Sequence, residues 1–131
     1  VNDFVNKAIN DKYIVVYESH FMRTFIHVHD IARSFIHAIQ NREGMVNNVY
    51  NVGDDSMNRS KREICELIKS KADYYLHLAD YGKDADARNY IVSYEKIAEA
   101  GFNTTVSIEK GVDELVNALQ VVQLNDPYRN V

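Results

Sequence analysis

Cysteine is nearly absent from this chain, and the shortage excludes one means of stabilisation. Cys65 is the only one, so no internal disulfide can form. Its place between Ile64 and Ile68 in a helical pattern marks it as a small buried hydrophobe. A reducing, cytoplasmic setting is the expectation. Proline is equally scarce, with Pro127 alone, and nothing reads as a linker between domains. No apolar run approaches the ~20 residues that span a bilayer, and no charged-then-apolar leader opens the chain, so no membrane partner is expected. Basic residues are in deficit, with 15 Lys and Arg against 19 Asp and Glu. The resulting net charge of −4 argues against nucleic acid as a partner, because that demands a clustered basic surface.

Glycine is the last shortage. A dinucleotide-binding fold needs closely spaced glycines at a strand-to-helix turn, so that backbone can approach the pyrophosphate. Gly44, Gly53, Gly82, Gly101 and Gly111 are the full set, and no two stand close enough to make that loop. What is present suits one compact soluble unit: 131 residues, 46% hydrophobic and 26% charged.

Hydrophobic spacing gives the organisation. Phe4, Val5, Ala8 and Ile9 predict an opening helix, and Tyr13 to Tyr17 a strand. Thr24 to Val28 predicts a second strand. Asp30 is placed to cap a helix with Ile31, Ala32, Phe35, Ile36 and Ile39 as its apolar stripe, and Gly44 follows in a turn. Asn48 to Val52 reads as a strand ending at Gly53. Ser60-Lys61-Arg62-Glu63 is a capping box opening a helix that buries Ile64, Leu67 and Ile68. Tyr74 to Leu78 and Tyr90 to Val92 read as strands, with a charged loop between them. Ser93 is expected to cap a short helix closed by Gly101. Ser107 is expected to cap a last one carrying Ile108, Val112, Leu115, Leu119 and Val122. The predicted domain runs over 1–124, with a tail at 125–131.

Few residues invite chemistry. His27 and His29 lie two apart, a spacing that puts both on one face of a strand, and with Asp30 or His20 they could in principle hold zinc. The further ligands at diagnostic spacing are missing, and no metal is expected. His37 and His77 stand alone and read as partly buried structural residues. Asp54-Asp55 and Asp84/Asp86 are carboxylate pairs in polar loops, where solvation is the default. Ser60, Ser93 and Ser107 are accounted for as caps, which leaves no serine or cysteine paired with a base.

One combination is more specific. Arg23 runs into Thr24-Phe25-Ile26-His27-Val28-His29-Asp30, and Val49-Tyr50-Asn51-Val52-Gly53 follows. This pairing resembles the extended short-chain dehydrogenase/reductase family, the NAD-dependent epimerases and dehydratases of nucleotide sugars. The likeness spans nearly the whole chain and corresponds to the family's C-terminal part. It implies a small mixed α/β substrate-binding domain, with Val49 to Val52 as the strand that returns to the cofactor domain's sheet. The N-terminal Rossmann domain, the dinucleotide-binding part, would then be missing. No tyrosine here is followed four positions later by a lysine, so the family's Tyr-x-x-x-Lys proton-transfer pair is absent too. Opening at Val1, already inside a helix, the chain is expected to be a fragment.

The resemblance also implies site residues. A nucleotide diphosphate carries charge near minus two, and a planar guanidinium forks onto its oxygens with parallel hydrogen bonds. Arg23 matches the family arginine ahead of the Phe-Ile-His-Val segment. Arg88, in Asp86-Ala87-Arg88-Asn89-Tyr90, matches a second one, and in the family both reach the diphosphate. Val16 and Tyr17 stand where the family packs the base, and Asn2 lies on a helix that lends it polar contacts. Arg33, Arg42, Arg59 and Arg62 are read as surface charge. Relatives often carry Arg-x-Gly-Asp where this chain has Gly82-Lys83-Asp84-Ala85-Asp86. They often carry Gly-Asp-Gly where it has Glu18-Ser19-His20-Phe21-Met22, so base identity does not transfer. The implied function is to hold the nucleotide sugar of an NAD-dependent epimerase or dehydratase, with NAD on the missing domain and no turnover by this chain alone. A homodimer is compatible with it. The alternative is a non-catalytic ligand-binding or assembly module that completes a separate Rossmann subunit.

Overall fold

The computed structural model describes residues 1–122, so the expected tail at 125–131 lies outside the described residues. The first helix, α1 (Asn2–Asn10), leads into β1 (Tyr13–Val16). Strand β2 (Met22–Thr24) precedes α2 (Val28–Gln40) and the short α3 (Arg42–Met45). A 3-10 turn at Asp55–Met57 leads to β3 (Asn58–Ser60), α4 (Lys61–Lys69) and β4 (Tyr75–Leu78). Helices α5 (Glu95–Glu99) and α6 (Ile108–Val121) close the described chain. The result is a small mixed α/β unit.

Two short ladders organise it. β1 pairs parallel with β4, Tyr13 opposite Tyr75 and Val16 opposite Leu78. Along β1, Ile14 and Val16 are buried while Tyr13 and Val15 are exposed, the alternation of a sheet covered on one face. Under that face lies the main core: Val5 and Ala8 of α1, Ile64, Cys65 and Ile68 of α4, Tyr74, and Val112 and Val116 of α6. Tyr74 donates its hydroxyl to the Cys65 carbonyl at 2.5 Å, so its polar end is satisfied inside the core. Burial pushes the Cys65 thiol up to about 12, which keeps it protonated and inert. The second ladder is antiparallel, with Met22 opposite Ser60 and Thr24 opposite Asn58. A smaller cluster of Tyr94, Ile97 and Phe102 packs with Tyr50, Val52 and Val92.

Local signals hold where they are self-contained. Ser60 and Glu63 form the reciprocal capping box at the start of α4. Ser107 accepts from the Lys110 N–H at the start of α6. Gly101 takes φ +85°, the left-handed conformation that ends α5.

Several expected elements differ. The strand predicted at Thr24–Val28 stops at Thr24, because β3 offers only three residues to pair with and the chain turns at His27. His27, not Asp30, caps α2: its Nδ1 accepts from the His29 N–H at 3.2 Å. The α2 stripe does not face the core: Phe35, Ile36 and Ile39 are 68%, 56% and 76% exposed, and the buried α2 residues are Asp30 and Ser34. Neither Asn48–Val52 nor Tyr90–Val92 joins a ladder among the described residues. Asn58 instead clasps Val92 through its side-chain amide, donating to the carbonyl at 2.9 Å and accepting from the N–H at 3.0 Å. Gly44 lies within α3 rather than in a turn. Tyr94 occupies the N-cap of α5, and Ser93 accepts only a long 3.4 Å bond from Glu95. His77 is exposed, beside Tyr75.

Candidate functional site

Arg23 sits in the middle of β2, paired with Arg59, and its side chain is only 11% exposed. A guanidinium has five donors to place when it leaves water. Here Nη1 donates to the carbonyls of Met22 and Arg88, and Nη2 to the carbonyl of Asp86 at 2.8 Å. The cation also lies 5.6 Å from the centre of the Tyr90 ring. Arg23 is thus oriented by backbone, with Nη2 3.5 Å from the Asp86 carboxylate.

Arg88 approaches that carboxylate from the solvent side. Its Nε and Nη2 donate to the two Asp86 oxygens at 2.6 Å each, a parallel fork, while its side chain stays 71% exposed. Arg88 hydrogen bonding, with Arg23 adding to the field, holds the Asp86 carboxyl well below the usual carboxylate range. The two arginines expected from the resemblance therefore meet, and they meet around an anion belonging to the chain itself.

The 82–90 loop that carries Asp86 and Arg88 is pinned on both sides. Lys61, at the first turn of α4, is buried and donates to the Tyr17 carbonyl at 2.5 Å and to Asp84 at 2.8 Å. A cation at a helix N-terminus opposes the helix dipole, and Asp84 balances it. Hydrogen bonding from Lys61 lowers the Asp84 pKa. Asp84 in turn takes the Glu18 carboxylate on its N–H at 3.1 Å, and Asn89 accepts from the Met22 N–H at 2.8 Å. Gly82, at φ +106°, lies against the Tyr17 ring; a Cβ there would come within 2.6 Å of that ring.

Of the other expected site residues, Tyr17 borders this loop and is half exposed. Val16 is buried in the main core, 2% exposed, which leaves it no face for a ligand. Asn2 lies elsewhere, lining a cavity of about 380 Å³ between α1, α6 and the 25–28 segment, where His27 pairs with Glu114 at 3.0 Å. Neither Arg23 nor Arg88 reaches that cavity. Sequence reasoning missed Lys61 and Asp86, whose signal was only that each falls in a motif already explained by capping or by loop polarity.

Arg33 is not free surface charge. It donates to Asp30 at 2.6 Å and to Thr105 at 3.0 Å, and lies 5.5 Å from the centre of the Phe102 ring. Burial pushes the Asp30 carboxyl up, but N–H bonds from Val106 and Thr105, with Arg33 and the Thr105 hydroxyl, more than offset it and bring it down to about 2. In Asp54, hydrogen bonds from Ser56 and Thr104 likewise outweigh burial and lower the pKa. A general acid at neutral pH needs the opposite shift, so Asp30, Asp54, Asp84 and Asp86 are not placed to serve as one. Among the described residues no three His, Cys, Asp or Glu side chains cluster to hold a metal, and no helix is long and apolar enough to cross a membrane.

No family model matches the chain. Solved structures do share its fold. RMD from Pseudomonas aeruginosa, complexed with NADPH, superposes with a TM-score of 0.71 at 18% identity, over 91% of this chain and 40% of that one. A GDP-D-glycero-L-gluco-heptose synthase from Campylobacter jejuni, in the presence of NADPH, gives 0.67 at 18%, over 89% and 35%. A GDP-mannoheptose C4 reductase from the same organism, with NADP bound, gives 0.66 at 15%, over 92% and 42%. The chain spans about two-fifths of the length of these proteins, the latter two of which are named for GDP-linked sugars.

Proposed function

We propose that this chain is the substrate-binding part of a nucleotide-sugar oxidoreductase of the extended short-chain dehydrogenase/reductase type, holding the substrate's diphosphate with Arg23 and Arg88. The observation that carries the reading is that the two guanidiniums, the pair the resemblance implies for the diphosphate, converge on one carboxylate. The fold shared with an NADPH-bound and an NADP-bound enzyme of GDP-linked sugars supports it.

The described residues do not fit a dinucleotide themselves: they offer no glycine pair at a strand-to-helix turn and no Tyr-x-x-x-Lys. On this reading NAD or NADP binds a separate Rossmann domain, and residues 1–122 supply positioning. Immobilising the remote nucleotide lets its binding energy orient the reacting sugar. Phe35, Ile36 and Ile39 of α2 are the surface such a domain would cover, since large apolar side chains exposed together mark an interface.

The test is calorimetry of GDP and UDP against the 131-residue chain, its Arg23→Ala variant and its Arg88→Ala variant. A charge-assisted bond to phosphate is worth about 1.5 to 3 kcal/mol, so each substitution is expected to weaken binding by roughly ten- to a hundredfold. Arg88 is solvent-exposed, so its removal leaves the fold intact. Unchanged affinity in Arg88→Ala and Arg23→Ala overturns the phosphate assignment. The same α2 face favours a second reading, a non-catalytic module that completes a separate Rossmann subunit. NADH or NADPH formation from any nucleotide sugar by this chain alone would refute that one.

A further inference from the structure

Asp86 has a position that the diphosphate reading does not explain. Its two oxygens fill the fork of Arg88, and Oδ1 stands 3.5 Å from Arg23, so the group that two arginines would offer a phosphate is already occupied. Three features make that occupancy exchangeable. The Asp86–Arg88 pair is solvent-exposed, and exposed ion pairs are weak because water and salt screen them. Arg23 is held by the carbonyls of Met22, Asp86 and Arg88, so its orientation does not depend on the Asp86 carboxylate. The loop is anchored independently by Lys61 on Asp84 and by Asn89 on Met22, so the Asp86 side chain can swing away without releasing it.

We infer that Asp86 is an internal counter-ion for Arg23 and Arg88, a carboxylate that must leave before a nucleoside diphosphate can enter, and that it thereby sets the affinity of the site. The inference rests on the diphosphate reading of those arginines. Asp86 stabilises the two cations while the site is free of ligand, and a diphosphate of higher charge displaces it by offering oxygens to both forks. Removing the carboxylate's charge while keeping its shape removes the competitor, so Asp86→Asn binds the anion more tightly.

The experiment titrates inorganic pyrophosphate and GDP into the 131-residue chain as wild type, Asp86→Asn and Asp113→Asn. Asp113 pairs with Lys71 at 2.9 Å, outside the arginine cluster, so its variant carries the same change in net charge without touching the site. Affinity is expected to rise about tenfold or more in Asp86→Asn and to stay within about twofold in Asp113→Asn. If wild type binds and Asp86→Asn binds equally or more weakly, the inference falls while the diphosphate site stands. An equal rise in both variants also overturns it, because general charge repulsion is then sufficient. If neither wild type nor Asp86→Asn binds either probe, the diphosphate reading falls and takes the inference with it. A measurement on wild type alone guards against misfolding of the variant: the Arg88 Nε–H resonance should move in step with saturation by pyrophosphate, as its partner changes from carboxylate to phosphate. Saturable binding with that resonance unmoved overturns the exchange.

Discussion

Helices α2 and α4 are both amphipathic and both capped, yet they use their apolar faces in opposite ways. α4 turns Ile64, Cys65 and Ile68 into the main core. α2 turns Phe35, Ile36 and Ile39 to solvent and buries Asp30 and Ser34 instead. One helix is held by apolar contact, the other by a carboxylate that collects bonds from Thr105, Val106 and Arg33. A helix anchored through polar groups keeps its apolar stripe available, and a stripe of that kind is what a partner domain can use.

The contrast breaks most sharply at Asp30. Its side chain is fully buried, and Asp30→Ala leaves Arg33 and the Thr105 and Val106 N–H groups without their acceptor. A buried donor left without its acceptor costs about 1 to 3 kcal/mol, and with two such donors chemical denaturation should register a loss of several kcal/mol. The same group gives a pH dependence. Its folded pKa, about 2, lies below the unfolded 3.8, so its contribution is fully present above pH 3.8. That contribution declines as pH falls and is gone below about 2. Asp30→Asn should flatten the stability profile between those limits, and an acid limb of unchanged slope would assign it to other carboxylates.

On the apolar side, Ile64→Ala removes a side chain only 1% exposed, and truncations of that kind cost about 2 to 5 kcal/mol. The loss should appear as a lower denaturation midpoint at constant slope. If Ile64→Ala costs less than 1 kcal/mol, α4 does not anchor the core and the comparison fails.

Which of these features could be read from sequence follows from how local each one is. The capping box at Ser60 and the pattern of α4 lie within ten residues of chain, and both were legible. The α2 stripe was legible as a stripe, but its direction was not, because that depends on Asp30 finding partners 75 residues away. Strands were expected at Asn48–Val52 and Tyr90–Val92 because both are β-rich, yet a strand needs a neighbour, and composition does not supply one. Arg23 and Arg88 were legible as candidates through the resemblance alone. Their convergence on Asp86 was not, since Arg23 and Asp86 lie 63 residues apart, and Lys61 was concealed by a capping motif that accounted for its surroundings without it.

The smallest expected effect on stability sharpens the comparison furthest. In Phe35→Ser with Ile39→Ser, two exposed side chains lose apolar surface that the described fold does not bury, so the unfolding free energy should change by less than about 0.5 kcal/mol per site. The same pair should lower self-association, because exposed apolar area is what brings copies together when no other domain covers it. Sedimentation at rising concentration separates the two quantities. If the wild-type chain associates and the double variant is monomeric at equal stability, the α2 face is an interface rather than part of this unit's core. If the double variant loses several kcal/mol, the stripe is buried in solution, and α2 is held by its apolar face after all.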